Sequence, residues 1–241
     1  MTRFCADLHI HTLLSPCGDL DMSPANIIRQ AQLRKLDIIA ITDHNSTRQA
    51  PLIRQMAKEK GIMVICGAEV TTVEEVHCIC LIPDPLLDEF QKFLDCHLPD
   101  IKNNPHQFGY QVCVDEHENI VFEEDRLLIA ALDQPIEQVE HKVHELGGIF
   151  IPAHINRPMN GIISQLGFLP PDLEIDALEL SKHTSVEQFL VQYPYLSPYP
   201  FIQSSDAHYV EQIGTATTCL TMDKLSFESL KKAIKQINLE S

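Results

Sequence analysis

Four apolar runs of this chain end in the same small set of side chains, and that recurrence limits the possible folds more than any other feature. Ile38–Thr42 runs into Asp43 and His44, Val64–Ala68 into Glu69, Ile149–Ala153 into His154, and Phe201–Ser205 into Asp206, Ala207 and His208. A fifth run at the N-terminus, Arg3–Leu8, is followed by His9 and His11, and residues two apart on an extended strand point the same way. Cys78–Ile82 and Ala177–Leu180 complete the strand-like set. Helix-like segments lie between: Pro24–Leu33, Gln49–Lys60, Leu86–Leu94, Ile136–Leu146, Val186–Val191 and Phe227–Ile237. Ser23 before Pro24 is a strong helix start, a capping hydroxyl followed by a residue with φ already set. This alternation predicts a parallel sheet, open or closed into a barrel. In an α/β barrel the C-terminal ends of the strands share one mouth, so residues far apart in sequence converge there.

Two stretches break the rhythm. Residues 97–135 contain Gln111–Val114 and Ile120–Phe122 around a polar Asp115–Asn119 turn, which predicts a β-hairpin inside an insertion, a lid, an interface or a plain surface excursion. Gly161–Pro171 reads as a long loop. The 241 residues are then expected to form one domain, 1–241, carrying the 97–135 insertion.

Composition bounds the function. The net charge of −16, with no Lys/Arg-rich block, disfavours duplex nucleic acid, which needs a cationic track. Small phosphate esters remain compatible, because bound cations can hold a phosphate locally. No apolar run reaches the about 18 residues of a membrane span, and the N-terminus lacks the apolar core of a signal peptide. A cytoplasmic protein without a membrane partner is the expectation. The eight cysteines include no C-x-x-C pair, and several sit inside apolar runs as small buried hydrophobes. The donors at the run ends are imidazoles and carboxylates, a set that suits Zn, Mn or Fe better than Ca or Mg. A carboxylate such as Glu69 can bridge two ions.

Asp7-Leu8-His9-Ile10-His11, Thr42-Asp43-His44-Asn45, Gly67-Ala68-Glu69, Pro152-Ala153-His154 and Ser205-Asp206-Ala207-His208 together resemble the motifs of the PHP (polymerase and histidinol phosphatase) superfamily, in order and over nearly the whole chain. The resemblance implies an α/β fold, a distorted (βα)7 TIM-like barrel, on which the 97–135 segment is a small hairpin-containing insertion. It also implies three divalent metal ions and phosphoester hydrolysis by metal-activated hydroxide. Carried over, His9, His11, Glu69 and Asp206 hold one ion, and Glu69, His77 and His154 a second. His44 and His208 hold the third, with a ligand from the loop after His11. That loop, Ser15 to Asp21, is longer than the family's common form; Asp19 is the choice, with Cys17 and Asp21 as alternatives. His77 stands at the start of its run, where the alternative is a polar residue on a strand edge.

Asp7 and Asp43 precede ligand positions and are expected to orient imidazoles. Arg157 and Lys182 are candidates for binding the substrate phosphate, and His183 or a bound water for protonating the leaving group. His141 and His144, in a Glu-rich segment, are expected to be solvated. The expected activity is hydrolysis of small phosphate monoesters, such as a nucleotide or a sugar or amino-alcohol phosphate. The alternatives are an exonuclease acting on short oligonucleotides and a non-catalytic metal-binding PHP module.

Overall fold

The apolar runs become strands curled about one axis in the computed structural model, which describes residues 1–237. The strands are β1 (Thr2–Ile10), β2 (Ile38–Ile41), β3 (Met63–Thr71), β4 (His77–Ile82), β5 (Val112–Val114), β6 (Ile120–Glu123), β7 (Ile149–Pro152), β8 (Leu178–Leu180), β9 (Phe201–Gln203) and β10 (Thr218–Met222). The main sheet has the order β10-β1-β2-β3-β4-β7, and β8 pairs with β9. Asp176 N donates to Phe150 O at 3.0 Å and Ile155 N to Glu179 O at 2.9 Å, which lays β8 beside β7. A bridge between Ile10 and Ala207 returns the end of β9 to the end of β1. The result is a strongly curled mixed sheet, a distorted TIM-like barrel.

The expectation of a parallel sheet is corrected in two places. β4 runs antiparallel to both β3 and β7, and β10, which the sequence reading missed, runs antiparallel to β1. Only residues 72–76 join β3 to β4, too few for the crossover that a parallel neighbour requires. Gly67 lets these two backbones close up, because a Cβ there would lie 2.3 Å from Cys80 O.

The two faces of the strands divide the core. Cys66, Ala68, Cys78, Cys80, Phe150 and Leu178 pack outward against Ile27, Ile53, Phe90 and Val139 of the surrounding helices. Ala6, Leu8, Ile38, Ala40, Ile65, Ile79, Ile151 and Ile202 pack inward, and Leu230, Ala233 and Ile234 of the helix Phe227–Gln236 join them. Along each strand the inward phase begins apolar and ends polar, from Ile65 to Glu69 and from Ile202 to Asp206. β1 reaches the mouth by an irregularity. Leu8 packs with the inner cluster and Ile10 with the outer one, and the register with β2 shifts between Asp7 and Ile10. Such a bulge turns the alternation over and re-aims side chains. His9 and His11 therefore face inward above Leu8.

The hairpin of the 97–135 segment forms as β5 and β6, its turn closed by Asp115 Oδ1, which accepts the amides of His117 and Asn119, each at 2.9 Å. The segment is tied behind the mouth. Asn45 Nδ2 donates to Leu128 O at 2.7 Å and Ala130 O at 2.8 Å, and the Gln49 amide pairs with the backbone of Val114. Gly161–Pro171 is not wholly a loop, since Ile162–Leu166 form a helical turn closed by Gly167 in the left-handed region at φ 82°. His144 also departs from expectation. It is half-buried, bonded to Glu140 and, at 3.0 Å, to Asp176, which also binds Lys235 Nζ at 2.9 Å. No described helix is long and apolar enough to cross a membrane.

Candidate metal centre

Glu69 is buried at the polar end of β3 and meets five imidazoles. Its Oε1 lies 2.9 Å from His77 Nδ1, 3.0 Å from His154 Nε2 and 3.4 Å from His9 Nε2. Its Oε2 lies 3.2 Å from His44 Nδ1 and 3.3 Å from His11 Nε2. Asp206 Oδ1 completes the ring at 3.4 Å from His9 Nε2, 3.3 Å from His11 Nε2 and 3.6 Å from His208 Nδ1. His77 arrives here because β4 is antiparallel, so the start of that strand, not its end, is at the mouth. Asn45, His154 and Asp206 all take positive φ (45°, 30° and 50°), where non-glycine residues cost roughly 1–3 kcal/mol each unless the surroundings hold them.

Hydrogen bonds behind the imidazoles set their tautomers. His9 Nδ1 faces both oxygens of Glu179, at 3.2 and 3.1 Å. A carboxylate only accepts, so the proton sits on Nδ1 and, in the neutral ring, Nε2 presents a lone pair to the cavity. Glu179 also accepts His154 N at 3.0 Å, so one buried carboxylate positions two of the converging groups. Ser15 Oγ donates to Asp43 Oδ1 at 2.7 Å and must therefore accept from His11 Nδ1 at 2.9 Å. Asp43 thus orients His11 through Ser15. Asp7 does not orient an imidazole. Turned away from the mouth below the bulge, it accepts Ser205 N at 3.0 Å and Gly214 N at 2.8 Å, and burial pushes its carboxyl up to about 6.

In the neutral rings, His9 Nε2 and His11 Nε2 present lone pairs to the same space as the Glu69 and Asp206 oxygens. His9 Nε2 and His11 Nε2 are 3.2 Å apart, and His44 Nδ1, His154 Nδ1 and Asp206 Oδ1 are buried without a well-formed hydrogen bond. Crowded acceptors of this kind fit a divalent cation. At the mouth, donor atoms within 4.8 Å of one another group as His9, His11, Glu69 and Asp206; as His44, Glu69 and His77; and as His11, His44 and His208; a fourth group, Glu140, His144 and Glu174, lies away from it. The first two groups share Glu69.

Burial alone would raise the carboxyls of Glu69 and Asp206, but the imidazoles around them hold both well below the usual range. Burial would depress His9 and His11, yet Glu179, Glu69 and Asp206 raise His9 well above its ordinary value, and hydrogen bonds to Asp206 and Glu69 lift His11 to about 9.

The cavity over these groups has a volume of about 370 Å³, and Arg157 is the one Lys or Arg lining it among the described residues. Arg157 Nη2 lies 2.6 Å from Asp206 Oδ2. Lys182 and His183 are exposed after β8 and do not line the cavity; Lys182 Nζ lies 3.4 Å from Thr215 Oγ1. Asp19 is turned to its own loop, its Oδ1 accepting Asp21 N at 2.8 Å, and Asp21 is exposed. Although the surface of Cys17 is exposed, the protein packed around its thiol and the nearby Glu69 and Asp206 carboxylates push it up to about 12. Gly18 allows this loop to fold back, since a Cβ there would lie 2.3 Å from Thr12 O. The sequence reading missed Glu179. Its signal was a single carboxylate inside the apolar run Ala177-Leu178-Glu179-Leu180.

A curled α/β sheet with histidines and carboxylates gathered at one end defines a class of metal-site proteins, and the comparisons name it. Residues 7–157 match the PHP domain and residues 197–238 the PHP-associated region, so the chain belongs to the PHP domain family. Among curated relatives, the uncharacterised protein MJ1587 of Methanocaldococcus jannaschii is 38% identical over 77 residues, covering 29% of this chain and 45% of that protein. The 5'-3' exoribonuclease Rnm of Salmonella typhimurium is 33% identical over 78 residues, covering 32% of this chain and 26% of that protein. The matched stretches thus span less than half of either relative. Among solved structures, the lesion-specific endonuclease Q of Pyrococcus furiosus superposes with TM-score 0.72 at 19% identity, covering 98% of this chain and 56% of that one. A protein assigned as a metal-dependent phosphoesterase from Bifidobacterium adolescentis gives 0.65 at 17% identity, with 95% of each chain covered. These two likenesses concern the fold.

Proposed function

We propose that this chain is a metal-dependent phosphoesterase that hydrolyses small phosphate monoesters. The observation that carries this reading is the single buried carboxylate, Glu69, ringed by five imidazoles beneath a cavity of nucleotide size. His9, His11, Glu69 and Asp206 would hold one ion, Glu69, His77 and His154 a second, and His44 and His208 a third together with Asp19 or Cys17 of the loop. When bound, such ions activate water and neutralise phosphoryl oxygens. The chain's own residues do the rest. Glu179 and the Asp43–Ser15 pair keep the His9 and His11 lone pairs aimed inward. Arg157, whose Nη2 lies beside Asp206 Oδ2, is the cation at the cavity that would bind a phosphate oxygen pair if Asp206 served as an ion's ligand. Lys182 and His183 would reach a substrate only by movement of the turn after β8.

The scarcity of cations at the mouth supports a small ester over a polynucleotide, which would need a basic track. A second reading, cleavage of short oligonucleotides, is favoured by the relatives, one an exoribonuclease and one an endonuclease solved with a 27-mer duplex substrate. The test is to strip the protein, reload it with Mn²⁺ or Zn²⁺, and follow phosphate release from nucleotides, sugar phosphates, amino-alcohol phosphates and short oligonucleotides. Asp206→Asn is measured alongside. Metal-dependent release from monoesters that collapses in the variant is expected. A preference for cleaving the phosphodiesters of oligonucleotides, read as release of nucleotides, would replace the first reading with the second, and failure to bind metal would overturn both.

A further inference from the structure

A second hollow adjoins the metal-capable cavity and shares Arg157 and Pro158 with it as a common wall. Its volume is about 400 Å³. The far side is the helix Val186–Gln192, started by Ser185 Oγ, which accepts Gln188 N at 3.2 Å. Gln188 and Gln192 are one turn apart, share a face of that helix, and both line the hollow. The rings of Phe189 and Tyr193 lie beneath, centroids 4.7 Å apart, with Phe189 buried and Tyr193 half-buried.

The polar groups differ in how far they are already committed. The Asn156 amide is held between Ser181 and Thr184, and Gln192 Nε2 donates to Tyr193 Oη at 3.2 Å. The side-chain amide of Gln188 makes no hydrogen bond to the described residues. It keeps a donor and an acceptor in one plane beside an aromatic platform. Among the described residues, Arg157 is the one charged residue of the lining, and no carboxylate lines the hollow. In a chain of net charge −16 this lack of lining carboxylates is selective. An ammonium group would call for a carboxylate here, and a second phosphate for further cations. A neutral, flat group with hydrogen-bonding edges matches what is present, because aromatic rings accept stacked bases without regard to their identity and an amide can pair with an edge or a hydroxyl.

We propose that this hollow is a nucleoside subsite. A phosphate monoester whose phosphate lies at Arg157 sends its nucleoside over the Arg157–Pro158 wall, stacks the base against Tyr193 and hydrogen-bonds it to Gln188. This inference rests on the phosphoesterase reading and names its substrate class as nucleotides, whether free or at the end of a strand.

The test uses the metal-loaded protein and its Gln188→Ala variant. KM is measured for adenosine 5′-phosphate, ribose 5-phosphate and a 5′-phosphorylated trinucleotide, and adenosine affinity is measured separately by calorimetry. The wild-type protein is expected to favour adenosine 5′-phosphate over ribose 5-phosphate by about tenfold or more in KM. Gln188→Ala should shrink that ratio, and weaken adenosine binding, by about three- to tenfold. Whichever of the mononucleotide and the trinucleotide has the lower KM identifies the source of the nucleoside. Equal KM values for the two monophosphates, or a ratio untouched by Gln188→Ala, overturns the subsite. If no ester is hydrolysed but adenosine binds and Gln188→Ala weakens it, the subsite stands and the phosphoesterase reading falls. If adenosine does not bind at all, the subsite falls on its own.

Discussion

His9 and His208 both face Asp206 at one mouth, yet their surroundings drive them in opposite directions. His9 is buried, which by itself would depress it, but Glu179, Glu69 and Asp206 raise it well above its ordinary value. Burial and the neighbouring His11 lower His208 to about 4, with Asp206 only partly opposing, and burial lowers His44 well below its usual value as well. The cluster therefore has a carboxylate-rich half around His9 and His11 and an imidazole-rich half around His44 and His208. Position relative to three carboxylates, rather than residue type, separates them. On the proposed reading, a divalent ion in the first half would gain the stronger field, while one in the second would depend on a ligand from the 15–21 loop.

Three perturbations test that division, beginning with the largest effect, and a fourth probes a charged cluster away from the mouth. Glu69→Gln removes the group common to both halves. Phosphate release should fall on the order of 10³-fold or more, with loss of more than one ion per chain by metal analysis. Retention of full metal content would show that the two halves do not share this carboxylate. Glu179→Gln leaves the imidazole-rich half around His44 and His208 untouched, since it contacts His9 Nδ1 and His154 N. A loss of about 10- to 100-fold in affinity is expected for the ions that His9 and His154 would hold, from titration with Mn²⁺. An equal loss at every ion would mean the halves are one cooperative unit.

A smaller change should come from the loop. Cys17→Ser and Asp19→Asn are compared by ion count, and the residue that supplies the loop ligand is the one whose variant binds one ion fewer; the other should keep the full number. If both keep it, the imidazole-rich half needs no loop ligand.

The smallest effect lies away from the mouth, at a separate group of imidazole and carboxylates. His144 sits between Glu140 and Asp176, and Lys235 also reaches Asp176. Burial would raise the Asp176 carboxyl, but His144, the Phe150 amide and Lys235 pull it down from 3.8 to about 2. A carboxyl lowered on folding contributes stability that is present above its unfolded value and is lost as pH falls through the folded one. Asp176→Asn should therefore cost about 2 kcal/mol near neutrality. It should also flatten the decline in stability between pH 4 and 2, as read by denaturant unfolding. An unchanged acid limb would show that Asp176 is not the group responsible.

Much of the fold and of the site was legible in the chain. Pro24–Leu33 forms a helix with the expected bounds because Ser23 and Pro24 are local signals that need no tertiary partner. Phe201–Gln203 and the hairpin are legible for the same reason, apolar alternation and turn chemistry being written in neighbouring residues. The failures are of another kind. β10 was missed because the Thr218–Met222 stretch takes its pairing from β1, more than 200 residues away in sequence. The direction of β4 depends on β3 extending to Thr71, past the end of its most apolar stretch, which shortens the link to His77 to a hairpin.

The chain by itself determined which donors exist and that they close successive strands: His9 and His11, His44, Glu69, His154, Asp206 and His208. Side-chain chemistry and two-residue periodicity are local properties, and they survive any arrangement of the strands. Tertiary structure alone decided which faces meet. A register shift in β1 turned His9 and His11 inward and left Asp7 outside. An antiparallel strand delivered His77 from its starting end, and β8 brought Glu179 behind His9 across 170 residues. Register shifts, strand direction and the closing of a curled sheet are set by contacts between distant segments, and no periodicity within one segment encodes them.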